Sequence, residues 1–173
     1  RFVEDIDGNV SLTRAESMKD GNLQKTTIAV KVPNNVIAGD IVTVKIDNDT
    51  SHGLKKYSVV SNVNGEIKLE HVKGDGTKET ITTDDKKNNE IEISGVKIIA
   101  GKTIDVTAET TDASGGKKAE AQNHNTLEKL HDDMKITFDK DDGDGILGNT
   151  EATGTETKTT IKLPSNFVDG DKL

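Results

Sequence analysis

The chain has 173 residues, 31 acidic and 23 basic side chains, and a formal net charge of −8. No block of Lys or Arg interrupts that acidic balance, which excludes a nucleic-acid or anionic-membrane surface, and no apolar run approaches the roughly 20 residues that span a bilayer. Hydrophobic content is 31%, with one Tyr, three Phe and neither Trp nor Cys. A core must therefore come from Val, Ile, Leu and Ala, and bound cations or a slender shape must reconcile so polar a chain with folding. The lack of cysteine leaves the compartment open. Starting at Arg1 without methionine, the sequence reads as a fragment of something longer.

The first organised stretch is Asp5 to Glu16, which carries oxygens at positions 1 (Asp5), 3 (Asp7), 5 (Asn9) and 12 (Glu16). Three ligands on one side and a bidentate glutamate on the other suit Ca²⁺. The competing reading is an acidic surface turn that happens to contain Asp-Gly. Val10 stands at the sixth position, where a helix–loop–helix EF-hand needs glycine, which argues against that motif. Ser11 to Met18, after the loop, has room for a turn or two of helix.

Alternating strands follow: Thr26 to Val32, ended by Pro33-Asn34-Asn35, then Ile41 to Ile46 after Ala38-Gly39-Asp40. Tyr57 to Val63 and Glu66 to Val72 flank Asn64-Gly65, the strongest hairpin signal in the chain. Lys73 to Gly76 reads as a turn and Asp84 to Asn89 as a solvated charged loop. Short runs return at Ile91 to Ile93, Val96 to Ile99, Thr103 to Ala108 and Lys117 to Gln122, the last two joined by the turn Asp112 to Gly116. Thr126 to Met134 has room for a turn or two of helix. About seven short strands between Gly, Asn and Asp turns predict an all-β fold, an antiparallel β-sandwich.

The opening recurs near the end. Lys140 to Glu151 repeats the acidic loop, with Asp142 on Asp7, Asp144 on Asn9 and Glu151 on Glu16; Lys140 stands where the first loop has Asp5, so the first ligand comes from Asp139 or Asp141 or is missing. Val32-Pro33 through Gly39-Asp40 returns as Leu163-Pro164 through Gly170-Asp171, and Phe2 as Phe138. One complete repeat is expected over residues 1–127, and a linker with the opening of a second, truncated repeat over 128–173. The boundary falls around Asn125 to Asp133.

Other candidates are weaker. Asp112, Asp40 and Asp171 suit turn residues that cap backbone N–H groups. Alternatively, Asp112 lies at a domain end and completes a junction metal site with the linker and the second acidic loop. The four histidines, His52, His71, His124 and His131, are scattered without metal-ligand spacing. No Ser/His/Asp set, nucleophile elbow or phosphate loop is present, and the carboxylates lie in turns without aromatic walls. Phe2, Phe138 and Phe167 read as packing residues. An enzyme is not expected.

The ordered set of Asp-x-Asp-Gly-Asn with a following Ala15-Glu16, the Pro33 to Asp40 turn, and Gly101 to Ala108 running into Thr111 to Gly115 resembles the immunoglobulin-like tandem repeats of giant bacterial surface adhesins. These are the biofilm-associated and RTX-type proteins exported by type I secretion. The resemblance implies Ig-like β-sandwich repeats stiffened by Ca²⁺, used as extracellular spacers on the bacterial surface. Their partners would be neighbouring repeats of the same polypeptide and, through other segments, a host or surface ligand. Two alternatives remain open: a ligand-binding module docking at the Asp47 to Gly53 and Thr82 to Asn89 loops, and a fibre subunit completed by a neighbouring chain.

Overall fold

A computed structural model describes residues 1–18, 24–48, 52–141 and 156–172. The chain divides into two units, Arg1–Glu128 and Lys129–Leu173.

In the first unit the chain opens with Phe2 bridged to Ile28, crosses the acidic loop, and forms a short strand β1 (Ser11–Leu12) and a single helical turn α1 (Arg14–Ser17). Strands β2 (Lys25–Lys31), β3 (Ile41–Ile46), β4 (Leu54–Val63), β5 (Glu66–Val72), β6 (Lys78–Thr83), β7 (Glu90–Lys97), β8 (Thr103–Thr111) and β9 (Lys117–Leu127) follow. They make a seven-stranded sheet in the order β1-β9-β8-β3-β4-β5-β6 and a two-stranded sheet β2-β7. All the strand pairs are antiparallel except β1 with β9.

Both sheets contribute to one core. Ile28, Val30, Ile91 and Ile93 from the small sheet join Val42, Val44, Leu69, Ile104 and Val106 from the large one, with Phe2 and Tyr57 as its aromatic members. The fold is all-β and sandwich-like, built from aliphatic side chains as the composition requires. Alternation is clearest in β3, where Val42, Val44 and Ile46 are buried between more exposed neighbours. At the β4–β5 turn, Asn64 and Gly65 both take positive φ, 53° and 84°, the pair of left-handed residues a two-residue hairpin needs.

Four elements differ from the sequence expectation. β2 is buried over five consecutive residues rather than on one face, because it is flanked by β7 on one side and by Arg1 to Val3 on the other, and Thr27 and Ala29 are short. β6 forms between the Lys73 to Gly76 turn and the Asp84 to Asn89 loop, where the sequence reading places no strand. Its single aliphatic residue, Ile81, gives too weak a pattern, yet pairing with β5 holds it as a charged sheet edge. The charged loop after it contains a 3-10 turn, Asp85–Lys87, capped by the Asp84 carboxylate. β9 runs to Leu127, and no helix forms over Thr126 to Met134: Asn125 and Leu127 are fully buried in the sheet, and that burial outweighs helical propensity.

In the second unit β10 (Lys135–Phe138) pairs antiparallel with β11 (Thr159–Lys162). The following Pro turn reproduces the one in the first unit. Val36 N donates to Pro33 O at 3.3 Å and Ile37 N to Asp40 Oδ2 at 2.9 Å, while Phe167 N donates to Pro164 O at 3.1 Å and Val168 N to Asp171 Oδ2 at 3.0 Å. Phe2 is 3% exposed and its counterpart Phe138 is 42% exposed. Among the described residues no helix is long and apolar enough to cross a membrane.

Candidate metal site

The acidic loop is built from local hydrogen bonds. Asp7 accepts from Asn9 N (3.2 Å) and from Asn9 Nδ2 (2.8 Å), and Asn9 Oδ1 accepts from Ser11 N (2.8 Å). Glu16 closes the loop through a capping box: Thr13 N and Thr13 Oγ1 donate to Glu16 Oε2 at 2.9 and 2.8 Å, and Glu16 N donates to Thr13 Oγ1. Ile6 N reaches Glu16 Oε1 across the loop at 3.4 Å. This arrangement brings Asp5, Asp7 and Glu16 together, with one carboxylate oxygen of each within 4.8 Å of the others.

Val10 adopts φ of 60°. A β-branched residue in left-handed backbone is a genuine outlier, costing roughly 1–2 kcal/mol. The loop therefore makes the sharp turn for which glycine would be the natural residue, at the sixth position, without it. Val10→Gly is expected to stabilise the metal-free chain by about 1 kcal/mol in urea denaturation. A loss of stability would mean that contacts of the Val10 side chain outweigh the backbone strain.

The loop is clipped to the end of β9. Ser11 and Leu12 pair with Thr126 and Leu127, Glu128 N donates to Leu12 O at 2.9 Å, and Arg14 N donates to Glu128 Oε2 at 3.2 Å. Within this clip Asn125 Nδ2 donates to Asp5 Oδ2 at 2.7 Å. Asn125 was missed in the sequence because it lies 120 residues from Asp5, and only its place among strand residues hinted that its amide is buried. Two acceptors here are buried without a donor, Asp5 Oδ1 and Asn125 Oδ1. Leaving a buried acceptor unsatisfied costs about 1–3 kcal/mol. A hard cation bound by oxygens at 2.3–2.6 Å accommodates ligand atoms up to about 5 Å apart, so the spacing and all-oxygen chemistry of this cluster fit Ca²⁺. The hydrogen bonds already accepted by Asp7 and Glu16 leave lone pairs on both, since an ionised carboxylate accepts about four.

The remaining candidates fall elsewhere. Asp142, Asp144 and Glu151 lie outside the described residues. Asp139 takes the register position of Val3, since Asp139 N donates to Lys158 O as Val3 N does to Thr27 O, both at 2.9 Å; its carboxylate lies 3.9 Å from Lys158 Nζ. Counting on from that register, Asp141 is the counterpart of Asp5.

Asp112 sits in the β8–β9 turn, at the opposite end of β9 from Asn125. Its Oδ1 accepts from Ser114 N and Gly116 N, both at 2.8 Å, the capping role of an acidic turn residue. A Cβ at position 116 would lie 2.7 Å from Asp112 Oδ2, so a side chain there would make the capping carboxylate shift. Asp112→Ala should cost about 1 kcal/mol in chemical denaturation, and an unchanged midpoint would remove the cap from the account. Asp40, 1% exposed, is occupied by the chain's own cation, Lys118 Nζ at 2.6 Å. Tyr57 is buried against His71, with ring centroids 5.1 Å apart, and burial pushes its phenol up to about 12.

No protein-family profile, curated protein or solved structure matches the chain.

Proposed function

We propose that the chain is a non-enzymatic, Ig-like structural repeat of a bacterial cell-surface adhesin, working outside the cell as a spacer stiffened by Ca²⁺ at its acidic loops. The single observation that carries this reading is the buried, donor-less Asp5 Oδ1 beside Asp7 and Glu16, in a loop whose backbone is held in a strained turn. Recurrence of the loop sequence and of the Pro turn in the second unit supports a tandem array, with neighbouring repeats of the same polypeptide as the first partners. Asp5, Asp7 and Glu16 supply charged ligands, Asn9 and Asn125 supply candidate neutral oxygens, and Asp141 or Asp139 with Asp142, Asp144 and Glu151 would repeat the set in the second loop.

Ca²⁺ has a simple mechanical role in this proposal. It neutralises converging carboxylates and fixes the loop against β9, so the segment leading into the next repeat inherits a rigid base. Folding is thereby coupled to a cation-rich exterior, and the calcium-poor cytoplasm leaves the chain looser for export.

The test is a thermal melt of the full chain in chelator, in millimolar Mg²⁺ and in millimolar Ca²⁺. At 100 times its dissociation constant a ligand adds about 2.7 kcal/mol per site, which for a chain of this size raises the midpoint by about 5–10 °C. A Ca²⁺-specific rise is expected. Identical melts in all three solutions would reduce the acidic loops to turns.

A further inference from the structure

β9 carries a polar side chain where the sheet asks for an apolar one. Asn125 lies opposite Ile104 of β8 and Leu127 opposite Leu12 of β1, and both are fully buried. Asparagine is depleted in strands, and burying its amide costs free energy unless the polar atoms are used. Thr126, between them, meets that condition through a 2.8 Å hydrogen bond between its Oγ1 and Thr103 Oγ1. Asn125 meets it by half. Its Nδ2 donates to Asp5 Oδ2 at 2.7 Å, but its Oδ1 is buried without a donor, as is Asp5 Oδ1.

The orientation of the amide follows from its partner. Turned over, it would set two acceptors against each other, because an ionised carboxylate only accepts. Two donor-less oxygens therefore adjoin one hydrogen bond, in a cluster that also holds Asp7 and Glu16. What both lack is a positive charge. Asn125 also differs from Asp7 and Asn9 in how it is held. Those two are exposed in a loop, whereas Asn125 belongs to a strand paired with β8 on one side and meeting β1 at its end on the other. Its oxygen cannot follow a small ion inward. Mg²⁺ demands near-ideal octahedral ligands at about 2.0–2.1 Å and keeps several waters, whereas Ca²⁺ takes oxygens at about 2.3–2.6 Å in adaptable geometry. A fully buried, strand-held oxygen suits Ca²⁺ and leaves little room for the waters that Mg²⁺ retains.

We propose that Asn125, through Oδ1, is the inner ligand of the cation bound by the acidic loop, and that it sets the preference for Ca²⁺ over Mg²⁺. The inference rests on the Ca²⁺ reading of that loop and adds the residue that makes the site selective. Being neutral, the amide oxygen selects by position rather than by attraction.

The test is a Ca²⁺ and a Mg²⁺ titration of the full chain as parent, Asn125→Leu and Asn125→Asp. It is followed by the backbone amide resonances of Asp7, Gly8 and Asn9, which report the first loop separately from the second. In the parent, Ca²⁺ is expected to shift the Asn125 side-chain amide resonances, since coordination of Oδ1 polarises that group. Asn125→Leu keeps the size and removes the oxygen; Ca²⁺ affinity should fall about tenfold or more, with Mg²⁺ affinity little changed. Asn125→Asp keeps an oxygen in place and removes the amide donor; it should bind Ca²⁺ at least as tightly as the parent. An equal loss in both variants would make Asn125 a positioning residue for Asp5 and overturn the ligand assignment. An unchanged preference for Ca²⁺ in Asn125→Leu, or a parent amide that Ca²⁺ does not move, would also overturn it and leave Oδ1 to a buried water. A parent loop that responds to neither ion would overturn the Ca²⁺ reading itself, and this inference with it.

Discussion

Asp5→Asn is expected to change sign with calcium: the metal-free chain becomes slightly more stable, and the Ca²⁺-loaded chain loses most of the stabilisation that its first loop contributes. Without a cation, the carboxylates of Asp5, Asp7 and Glu16 converge to within 4.8 Å and repel one another. At that distance, with water screening, each like-charged pair costs about 1 kcal/mol. Asparagine removes the charge of Asp5 and keeps an oxygen that can still accept from Asn125 Nδ2, which bonds Asp5 Oδ2 at 2.7 Å. With Ca²⁺ present, the substitution deletes a charged ligand whose Oδ1 is buried without a donor. The loss should approach the roughly 2.7 kcal/mol that a site at 100 times its dissociation constant supplies. Paired melts of parent and variant, in chelator and in Ca²⁺, read both effects. A variant that responds to Ca²⁺ as fully as the parent would take Asp5 out of the site.

Lys118→Met should destabilise the chain by about 3 kcal/mol at neutral pH, because it leaves a buried carboxylate without its cation. Asp40 is 1% exposed; its Oδ2 receives Lys118 Nζ at 2.6 Å and Ile37 N at 2.9 Å. Burial pushes this carboxyl up, but the Lys118 hydrogen bond, the Ile37 amide and the Lys118 charge outweigh it and hold it below the ordinary aspartate value. A carboxyl depressed in the folded state stabilises above its unfolded pKa, about 3.9, and that contribution disappears as pH falls through the lower folded value. In Lys118→Met the opposition to burial is largely gone, so Asp40 moves up and accepts a proton at milder acidity. The gap between parent and variant should therefore narrow from pH 7 to pH 3 in urea denaturation. A constant gap below about 1 kcal/mol would show that the pair is no more than an exposed ion pair.

Both predictions depend on contacts across long stretches of chain, and this is where sequence and structure part. Period-two alternation located the buried faces of β3, β4, β5, β7 and β8, because the pleat alone determines which side chains share a face; β2, buried on both faces, departs from it. Asn64-Gly65 announced its hairpin because only such a pair accepts two consecutive left-handed residues cheaply. The spacing of Asp5, Asp7 and Glu16 was legible because the loop folds largely on itself, through Asx turns and a capping box spanning a few residues. The Pro-turn repeat was legible for the same reason.

Other features needed the fold. β6 exists because β5 offers it a partner, and its own Lys-Glu-Thr-Ile-Thr-Thr sequence has too little apolar content to declare a strand. Leu127 and Asn125 end a strand rather than begin a helix because the sheet buries them. Val10 takes the left-handed turn that its side chain disfavours within a loop held by Asn9 N to Asp7 Oδ1 before it, Ser11 N to Asn9 Oδ1 across it and Thr13 N to Glu16 Oε2 after it. The sequence by itself determined the faces of the one-sided strands it located, most turns, the Pro-turn repeat and the local array of oxygens in the first loop, since each depends on neighbours a few residues apart. Tertiary structure decided that Asn125 closes on Asp5 and that Lys118 neutralises Asp40, because these depend on which distant strands become neighbours in the sheets.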